Sequence, residues 1–282
     1  MDAKTNTSDD GVSNRTTHRE ALSERAGSVG PNVISVRPLA LVTGGTRGIG
    51  RATAFALAEQ GWDLVLSYQS DAEAAAATER ECRARGATVR AIRSDVSRED
   101  DVETMFQVAD EVGTLRALVN NAGIVGPETR VDALTLERIQ MMFAVNVFGT
   151  ILCSREAVRR MSTQRGGGGG RIVNVSSAAA RLGSPGEYVD YAAAKGAIDT
   201  FTVGLAKEVA TEGILVNAVR PGLVDTDIHA SGGQPDRAER LRPLIPVQRV
   251  GTAPEIASVI AFLCSDAASY LCGALIDVSG GR

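Results

Sequence analysis

Leu39-Ala-Leu-Val-Thr-Gly-Gly-Thr-Arg-Gly-Ile-Gly50 joins a short apolar run to a glycine-rich turn and then to a helical pattern. The run Leu39–Val42 predicts a buried β-strand. Glycines in the turn let backbone N–H groups approach a phosphate closely, at the positively charged end of the helix that follows. Gly44, Gly48 and Gly50 have the spacing GxxxGxG, a variant of the dinucleotide-binding fingerprint. The stretch therefore predicts a strand–turn–helix unit that holds the pyrophosphate of a dinucleotide.

The rest of the chain repeats the alternation of this first unit. In several short segments successive residues are all apolar, as in strands of a parallel sheet that helices cover on both faces. This repetition predicts an α/β fold, a single Rossmann-type doubly wound domain with a seven-stranded parallel sheet. The predicted strands are Leu39–Val42, Leu64–Leu66, Val89–Ile92, Ala117–Val119, Ile172–Val175, Leu215–Val219 and Ala274–Val278. The predicted helices are Arg51–Gln60, Ala72–Arg85, Asp101–Val112, Leu136–Met161, Tyr191–Glu212 and Pro254–Ser265.

Two segments bear on the extent of the domain. Residues 1–37 are polar and lack a sustained apolar period, so they cannot bury enough surface to offset the entropy of ordering. We predict a disordered N-terminal extension over residues 1–37 and one catalytic domain over residues 38–282. The run Gly166–Gly170 suits either a linker or a surface loop. Division there would leave the first half without a complete site, which favours the loop.

Composition and charge restrict the classes of function. The net charge of −4 argues against nucleic-acid binding, which usually needs a basic face. No apolar run approaches the roughly 20 residues of a membrane span, and no signal-peptide pattern opens the chain. The four cysteines lack CxxC spacing, so we expect neither a disulfide frame nor a metal site, and a cytoplasmic location. Of the two histidines, His18 lies in the extension and His229 in a Gly- and Pro-rich stretch, so we expect another residue type as the general acid/base.

The end of the second predicted strand bears on the choice between NAD and NADP. Selectivity for NAD usually needs an acidic residue there, whereas this strand ends Leu66-Ser-Tyr-Gln-Ser70 and the first carboxylate is Asp71. Arg47 stands in the glycine turn, near where a 2′-phosphate would lie. A cation there, with no competing acid, favours the phosphorylated cofactor. We therefore predict NADP(H), with NAD(H) as the alternative if Arg47 is only a solvated surface residue.

Tyr191-Ala-Ala-Ala-Lys195 begins a long helical pattern and has the spacing that puts both side chains on one helix face,. A tyrosine pKa of roughly 10 is too high for a base at neutral pH, but a nearby ammonium and an oxidised nicotinamide would lower it. YxxxK also occurs by chance on amphipathic helices. Here Val173-Asn-Val-Ser-Ser177 ends a strand upstream, so its hydroxyls can meet the tyrosine at the carboxyl edge of the sheet, where ligands bind.

Together these motifs resemble those of the short-chain dehydrogenase/reductase family, from Leu39 to Arg282. The resemblance implies an oxidoreductase that transfers a hydride between NADP(H) and an alcohol/carbonyl substrate, and a homo-oligomer, with a two-fold symmetric tetramer expected. The matching motifs are Thr43-Gly-Gly-Thr-Arg-Gly-Ile-Gly50, Asn120-Asn-Ala-Gly123, Val145-Asn-Val147, Ser176-Ser177, Tyr191-x-x-x-Lys195, and Arg220-Pro-Gly222 with Thr226.

The same resemblance implies a role for each matching residue. Tyr191 is the implied acid/base, Lys195 lowers its pKa and binds the nicotinamide ribose, and Ser177 orients the substrate oxygen. Asn146 is implied to hold a water that relays protons from Lys195 to solvent. Together with the glycine turn, the implied cofactor-binding residues are Gly44, Thr46, Arg47, Gly48, Ile49, Gly50, Ser67, Tyr68, Asp95, Val96, Asn121, Ala122, Gly123, Tyr191, Lys195, Pro221, Gly222, Val224 and Thr226.

The sequence departs from the family pattern between the serine and the tyrosine. The usual interval is one residue shorter, and counting it back from Tyr191 reaches Ala178, which has no hydroxyl. We assign the role to Ser177, with one extra residue in the following loop, and keep Ser176 as the alternative.

Two further expectations concern specificity and class. Residues 181–191 and 277–282 resemble a bacterial branch labelled glucose-1-dehydrogenase-like, from which we do not infer glucose as the substrate. We expect the substrate to be selected by the shape of the cavity that Ala178–Asp190 and a predicted lid, Val224–Val250, form. A non-catalytic NADP(H)-binding sensor or scaffold is the alternative class, which the complete set of catalytic residues disfavours.

Overall fold

The computed structural model describes residues 37–226, 233–234 and 237–282. Arg37 belongs to the fold, because its Nε donates to the carbonyl oxygen of Gly61 at 2.9 Å and its NH2 to that of Ala58 at 3.1 Å. Arg37, which composition assigned to the extension, therefore packs against the domain. Residues 1–36, on which the predicted extension falls, lie outside the described residues.

Seven parallel strands form one sheet, so the predicted doubly wound α/β fold is confirmed. The strand order β3-β2-β1-β4-β5-β6-β9 reverses direction beside β1, which opens a crevice between β1 and β4 at their carboxyl ends,. Two short strands, β7 and β8, pair separately. The strands are β1 Leu39–Val42, β2 Asp63–Tyr68, β3 Val89–Arg93, β4 Leu115–Asn120, β5 Gly170–Val175, β6 Ile214–Pro221, β7 Val224–Asp225, β8 Gly251–Thr252 and β9 Leu275–Val278.

Helices cover both faces of the sheet, which explains the continuous apolar runs of the central strands. On one face α1, α2 and α9 bury residues such as Leu57, Cys82 and Ile260. On the other face α3, α5 and α7 bury residues such as Phe106 and Ala157. The helices are α1 Gly48–Glu59, α2 Ala72–Ala84, α3 Glu99–Val112, α4 Leu136–Phe143, α5 Gly149–Met161, α6 Ala179–Leu182, α7 Val189–Val209, α8 Arg237–Leu241 and α9 Ala253–Cys264.

The predicted helix Leu136–Met161 is continuous but not uniform, because a π-helical turn over Ala144–Phe148 separates α4 from α5. By length and composition alone this 26-residue run could cross a membrane, with a mean hydropathy of 1.3 in its most apolar window. Half of that window is buried within the fold. The run is therefore typical of a core helix, and its apolar character is weak evidence for a span.

The glycine run Gly166–Gly170 is a connection within the sheet. It leads from α5 into β5, and β5 pairs directly with β4 on one side and β6 on the other. Arg37–Arg282 accordingly forms one compact unit. The surface-loop interpretation of the glycine run is therefore the one that the structure supports.

Candidate active site

Two adjoining cavities open at the carboxyl edge of the sheet. The glycine-turn cavity, of about 240 Å³, lies beside the turn after β1 and the end of β2. The tyrosine cavity, of about 410 Å³, surrounds the side chains of Ser177 and Tyr191. The two cavities adjoin and share five lining residues, so a long ligand could extend from one into the other. The residues that line both cavities are Ile49, Asn121, Gly123, Val125 and Thr226.

The glycine turn leaves no room for side chains where it meets the loop after β4. Gly44 and Gly48 have φ of +60° and +51°, a left-handed conformation that favours glycine,. A Cβ on Gly50 would lie 2.2 Å from the carbonyl oxygen of Gly44. The Asn121 side chain fastens the turn by donating to the carbonyl oxygens of Thr43 at 2.9 Å and Gly44 at 3.0 Å. Backbone groups therefore form this wall of the cavity, as close approach to a phosphate requires.

Polar groups at the ends of β2 and β3 line the far side of the glycine-turn cavity. The Ser67 hydroxyl is buried and accepts a hydrogen bond from the Gly44 N–H at 3.1 Å. Arg47 is exposed and forms no ion pair with any residue that the structure describes. Asp71 also lines the cavity, but its carboxylate caps α2 by accepting from the Ala74 N–H at 2.9 Å. Burial acts to raise the pKa of Asp95, but hydrogen bonds from neighbours including Ser97 outweigh it, so that pKa is lowered and the carboxylate is charged.

Ser177, Tyr191 and Lys195 come together at the floor of the tyrosine cavity. The Ser177 hydroxyl lies close enough to the Tyr191 hydroxyl to act to lower the pKa of Tyr191. The Lys195 side chain is buried, lies one turn below the tyrosine, and places its Nζ 5.6 Å from the centre of the Tyr191 ring. That Nζ donates to the carbonyl oxygen of Val175, the last residue of β5, at 2.7 Å. Strand β5 and helix α7 together therefore align a hydroxyl, a phenol and an ammonium.

Burial governs both titrating groups of this cluster. It raises the pKa of Tyr191 above its ordinary value, although the Ser177 hydrogen bond and the charge of Arg237 act in the opposite direction. Burial also lowers the pKa of Lys195 to about 8, against the effect of the Asp199 carboxylate. The side chains of the protein by themselves thus keep Tyr191 neutral at neutral pH. The lowering of its pKa that we expected from Lys195 is not produced by the protein alone.

The two consecutive serines have different partners. The Ser176 hydroxyl is buried and donates to the backbone carbonyl of Lys195 at 3.2 Å, which fastens α7 to the sheet. The Ser177 hydroxyl accepts from the Ala179 N–H at 3.1 Å, at the start of α6. Helix α6 overlaps the loop Ala180–Glu187, in which we expected the extra residue. Ser177, rather than Ser176, is the serine whose hydroxyl acts on the pKa of Tyr191.

Asn146 lies behind the cavities rather than on their surface. It is fully buried in the π-helical turn, and its amide donates to the carbonyl oxygens of Ile124 at 3.1 Å and Met142 at 2.9 Å. A Cβ on Gly123 would lie 2.7 Å from Asn146 Oδ1 and 3.6 Å from Lys195 Nζ. Asn146 and Lys195 therefore border the same small space beside Gly123.

Nearly all of the residues singled out from the sequence line the two cavities. Only Gly50 and Asn146 lie behind the walls of the cavities. The glycine-turn cavity is lined by Gly44, Thr46, Arg47, Gly48, Ile49, Ser67, Tyr68, Asp95, Val96, Asn121, Ala122, Gly123 and Thr226. The tyrosine cavity adds Ser176, Ser177, Tyr191, Lys195, Pro221, Gly222 and Val224. His229 lies outside the described residues, and no group of three His, Cys, Asp or Glu side chains in the described part of the chain could hold a metal ion.

Three polar residues of the tyrosine cavity, Glu187, Tyr188 and Arg237, belong to no sequence motif that would have identified them. Arg237 projects from α8, donates through NH2 to the Glu187 carboxylate, and has its guanidinium carbon 5.1 Å from the centre of the Tyr188 ring. All three line the cavity. Glu187 and Tyr188 fall within the segment expected to shape the cavity, and Arg237 within the predicted lid. The sequence indicated both segments, but it gave no indication that these residues contact each other.

Comparisons with known proteins agree on one family. A family model described as enoyl-(acyl carrier protein) reductase matches residues 44–282. The uncharacterized oxidoreductase YgfF of Escherichia coli K12 is 52% identical over 245 residues, covering 86% of this chain and 99% of the relative. A 3-oxoacyl-(acyl-carrier-protein) reductase of Synechocystis is 38% identical over 245 residues, covering 86% of this chain and 96% of the relative.

A solved structure is similar over the same part of the chain. It is that of a short-chain dehydrogenase from Burkholderia cenocepacia in complex with NADP, with 35% sequence identity and a TM-score of 0.79. The match covers 86% of this chain and 97% of that protein.

Proposed function

This chain belongs to the short-chain dehydrogenase/reductase family of oxidoreductases, and from that premise we propose that it transfers a hydride between NADP(H) and an alcohol/carbonyl pair. The observation that carries the proposal is the cluster of Ser177, Tyr191 and Lys195 at the floor of a cavity that joins the glycine-turn cavity. A neutral phenol, a hydroxyl that orients it and a buried ammonium are the groups that protonation of a carbonyl oxygen needs.

We assign the acid/base role to Tyr191. Its raised pKa keeps the hydroxyl protonated at neutral pH, so Tyr191 can donate a proton to the oxygen of a carbonyl as that carbonyl is reduced. Ser177 would hold the same oxygen through its hydroxyl. In the reverse direction Tyr191 would accept the alcohol proton, which requires that its pKa be lowered by positive charge nearby.

Lys195 and Asn146 are assigned to the delivery of protons and to the ribose. Lys195 places its Nζ 5.6 Å from the centre of the Tyr191 ring, and its pKa of about 8 lets it exchange a proton close to neutral pH. Asn146 Oδ1 borders the same space beside Gly123. A water held there by Asn146 would relay protons between Lys195 and solvent, and the Lys195 ammonium would also bind the nicotinamide ribose.

The residues of the glycine-turn cavity fit a dinucleotide. The left-handed glycines and the absence of space for a Cβ at Gly50 leave backbone N–H groups as the binding surface for a pyrophosphate,. Asp95 and Val96 would contact the adenine, and Pro221, Gly222 and Thr226 would flank the nicotinamide end. When bound, NADP(H) supplies or accepts the hydride.

The phosphorylated cofactor is proposed because of the charges near the end of β2. Arg47 is exposed beside the cavity and forms no ion pair among the described residues, while Asp71 is engaged as the cap of α2. A guanidinium suits a 2′-phosphate better than a neutral ribose hydroxyl. The similar Burkholderia cenocepacia protein was solved with NADP, which supports the same choice.

Replacement of Tyr191 by phenylalanine tests the proposed function. Tyr191→Phe keeps the ring and removes only the titrating hydroxyl, so turnover with NADPH on a panel of carbonyls should fall about 10²–10⁴-fold, while NADPH affinity in a fluorescence titration stays unchanged. Lys195→Ala should lower both turnover and NADPH affinity. If Tyr191→Phe kept more than about a tenth of wild-type turnover, Tyr191 would not be the acid/base. If the wild type bound NADPH but reduced no carbonyl, the non-catalytic alternative would be favoured.

We also propose a homo-oligomer and a cytoplasmic location. Leu136, Met141 and Phe148 are 64%, 59% and 54% exposed on the α4–α5 run, and a second copy of the chain would cover such an apolar surface. The glucose-1-dehydrogenase-like branch stays a prediction.

A further inference from the structure

Arg237 has hydrogen-bonding capacity that no residue in the described part of the chain uses. Its side chain is only 11% exposed, and its NH2 donates to the Glu187 carboxylate. Its Nε is buried without an acceptor in the described part of the chain. A guanidinium carries five N–H donors, and a buried donor left without a partner is costly. Among the described residues, the side chain is held by the Glu187 ion pair and by the Tyr188 ring. Because Nε is buried, the donors that a ligand could meet are those of the terminal nitrogens.

Arg237 is placed where its guanidinium can meet a bound substrate. Arg237 lines the same cavity as Ser177 and Tyr191, and its charge is felt at the Tyr191 hydroxyl. A substrate whose carbonyl oxygen contacts Ser177 and Tyr191 therefore extends into the field of the guanidinium. We do not assign Arg237 to proton transfer itself, since Ser177, Tyr191 and Lys195 form the cluster proposed for that step.

The charge of Glu187 determines what kind of group the guanidinium can accept. Glu187 lines the cavity and its side chain is only 20% exposed, so it neutralises Arg237 at close range. A carboxylate brought beside this pair would be repelled by Glu187. A neutral carbonyl or ester oxygen would accept a charge-assisted hydrogen bond without adding a second anion.

We propose that Arg237, held by Glu187 and Tyr188, forms a subsite that binds a second, neutral oxygen of the substrate, and so selects oxo esters and related dicarbonyls over simple ketones and oxo acids. This inference rests on the proposed reductase function, because it concerns the same cavity. It goes beyond that function by naming the residue that recognises the substrate and the chemical class of substrate that this residue recognises.

Matched substrates provide the test. Ethyl 3-oxobutanoate carries an ester oxygen beyond the ketone, 2-heptanone has nearly the same length without it, and 3-oxobutanoate replaces the ester with a carboxylate. The wild-type enzyme with NADPH should show a higher kcat/KM for the oxo ester than for either other compound. The loss of a hydrogen bond to a charged donor corresponds to about a ten- to hundredfold change, so Arg237→Met should lower the ratio of kcat/KM for the oxo ester to that for 2-heptanone by that factor.

Ratios between substrates separate recognition from effects on the acid/base. Any change that Arg237→Met makes to the pKa of Tyr191 acts on all three compounds alike and cancels in the ratio. Reduction of 2-heptanone by the variant also shows that it is folded. Arg240→Met is the matched control, since Arg240 lies on the same helix but donates to Gln234 and does not line the cavity. This control should keep the wild-type ratios.

Glu187→Gln tests the role of the neutralising charge. It leaves the guanidinium uncompensated, so kcat/KM for 3-oxobutanoate should rise relative to that for the ethyl ester. Equal losses for the oxo ester and 2-heptanone in Arg237→Met, no wild-type preference for the ester, or no gain for 3-oxobutanoate in Glu187→Gln would each overturn the proposal. Failure of the wild type to reduce any ketone would instead overturn the reductase function, and this inference with it.

Discussion

Replacing Asp190 by alanine should destabilise the domain far more than breaking an ion pair on its surface. Asp190 precedes Tyr191, and its carboxylate accepts from Arg138 Nε at 2.8 Å and from NH2 at 3.3 Å. The two side chains are only 2% and 16% exposed. Removing one partner of a buried pair typically costs about 3–5 kcal/mol. We expect about 3 kcal/mol, because Arg138 keeps Thr129 as an acceptor of a hydrogen bond at 2.5 Å.

Glu111→Ala is the matched control. Glu111 also pairs with an arginine, with 2.6 Å between its Oε2 and Arg90 NH1, but these side chains are 62% and 53% exposed. Exposed pairs are worth about 0–1 kcal/mol. A domain of this size loses about 2–4 °C in Tm per kcal/mol, so Asp190→Ala should melt roughly 6–12 °C lower and Glu111→Ala at most about 4 °C lower.

Calorimetry at one protein concentration measures both shifts, since the Tm of an oligomer depends on concentration. Asp190→Ala should also lower kcat, because the pair fastens the start of α7 to α4 beside the acid/base. Equal Tm shifts in the two variants would refute the importance of burial. An unchanged kcat would show that the pair stabilises the fold without positioning Tyr191.

Three further predictions concern the cofactor, the buried lysine and the assembly. Arg47→Ala should weaken NADPH at least about tenfold while leaving NADH nearly unchanged, as loss of a charged contact implies; equal losses in a binding titration would contradict the assignment of Arg47 to the 2′-phosphate. Because burial lowers the pKa of Lys195 from 10.5 to about 8, the unfolded chain binds more protons between these values, and the free energy of unfolding should rise with pH relative to Lys195→Met. A difference that stays flat from about pH 8 to pH 10 would argue against the shift in the pKa of Lys195. Sedimentation should give a mass several times the 29.5 kDa of one chain, and a monomer at micromolar concentration would contradict the proposed oligomer.

Local sequence patterns were sufficient for the sheet and for most of the site. The strand Leu39–Val42 is observed with its predicted bounds, and the other strands of the main sheet differ from theirs by up to two residues at each end. The inner strands of the sheet are buried along most of their length, so apolar runs mark them without reference to the rest of the chain. The glycine turn and the tyrosine–lysine pair are likewise short motifs whose spacing already brings their side chains together.

Features that depend on packing between distant segments were not predictable. The π-helical turn that contains Asn146 has no signature in the apolar pattern, because its conformation depends on amide hydrogen bonds to Ile124. Arg37 belongs to the fold through carbonyl oxygens and a carboxylate far along the chain. The contact between Arg237 and Glu187 spans 50 positions. A polar residue in a loop or short helix gives no indication in the sequence of which partner it will meet.

The missing space at Gly50 bears on how the preference for NADPH or NADH can be engineered. A Cβ there would lie 2.2 Å from a backbone oxygen, and backbone cannot move aside as a flexible side chain can. In a mutant library, codons that encode other residues at this position would therefore yield mostly inactive clones, whatever cofactor is selected for. Diversity is better placed at Arg47 and at residues 69–71 after β2, where side chains meet solvent and the loop can absorb a change. The part of the fold that recognises a dinucleotide and the part that distinguishes one dinucleotide from another can thus be varied separately.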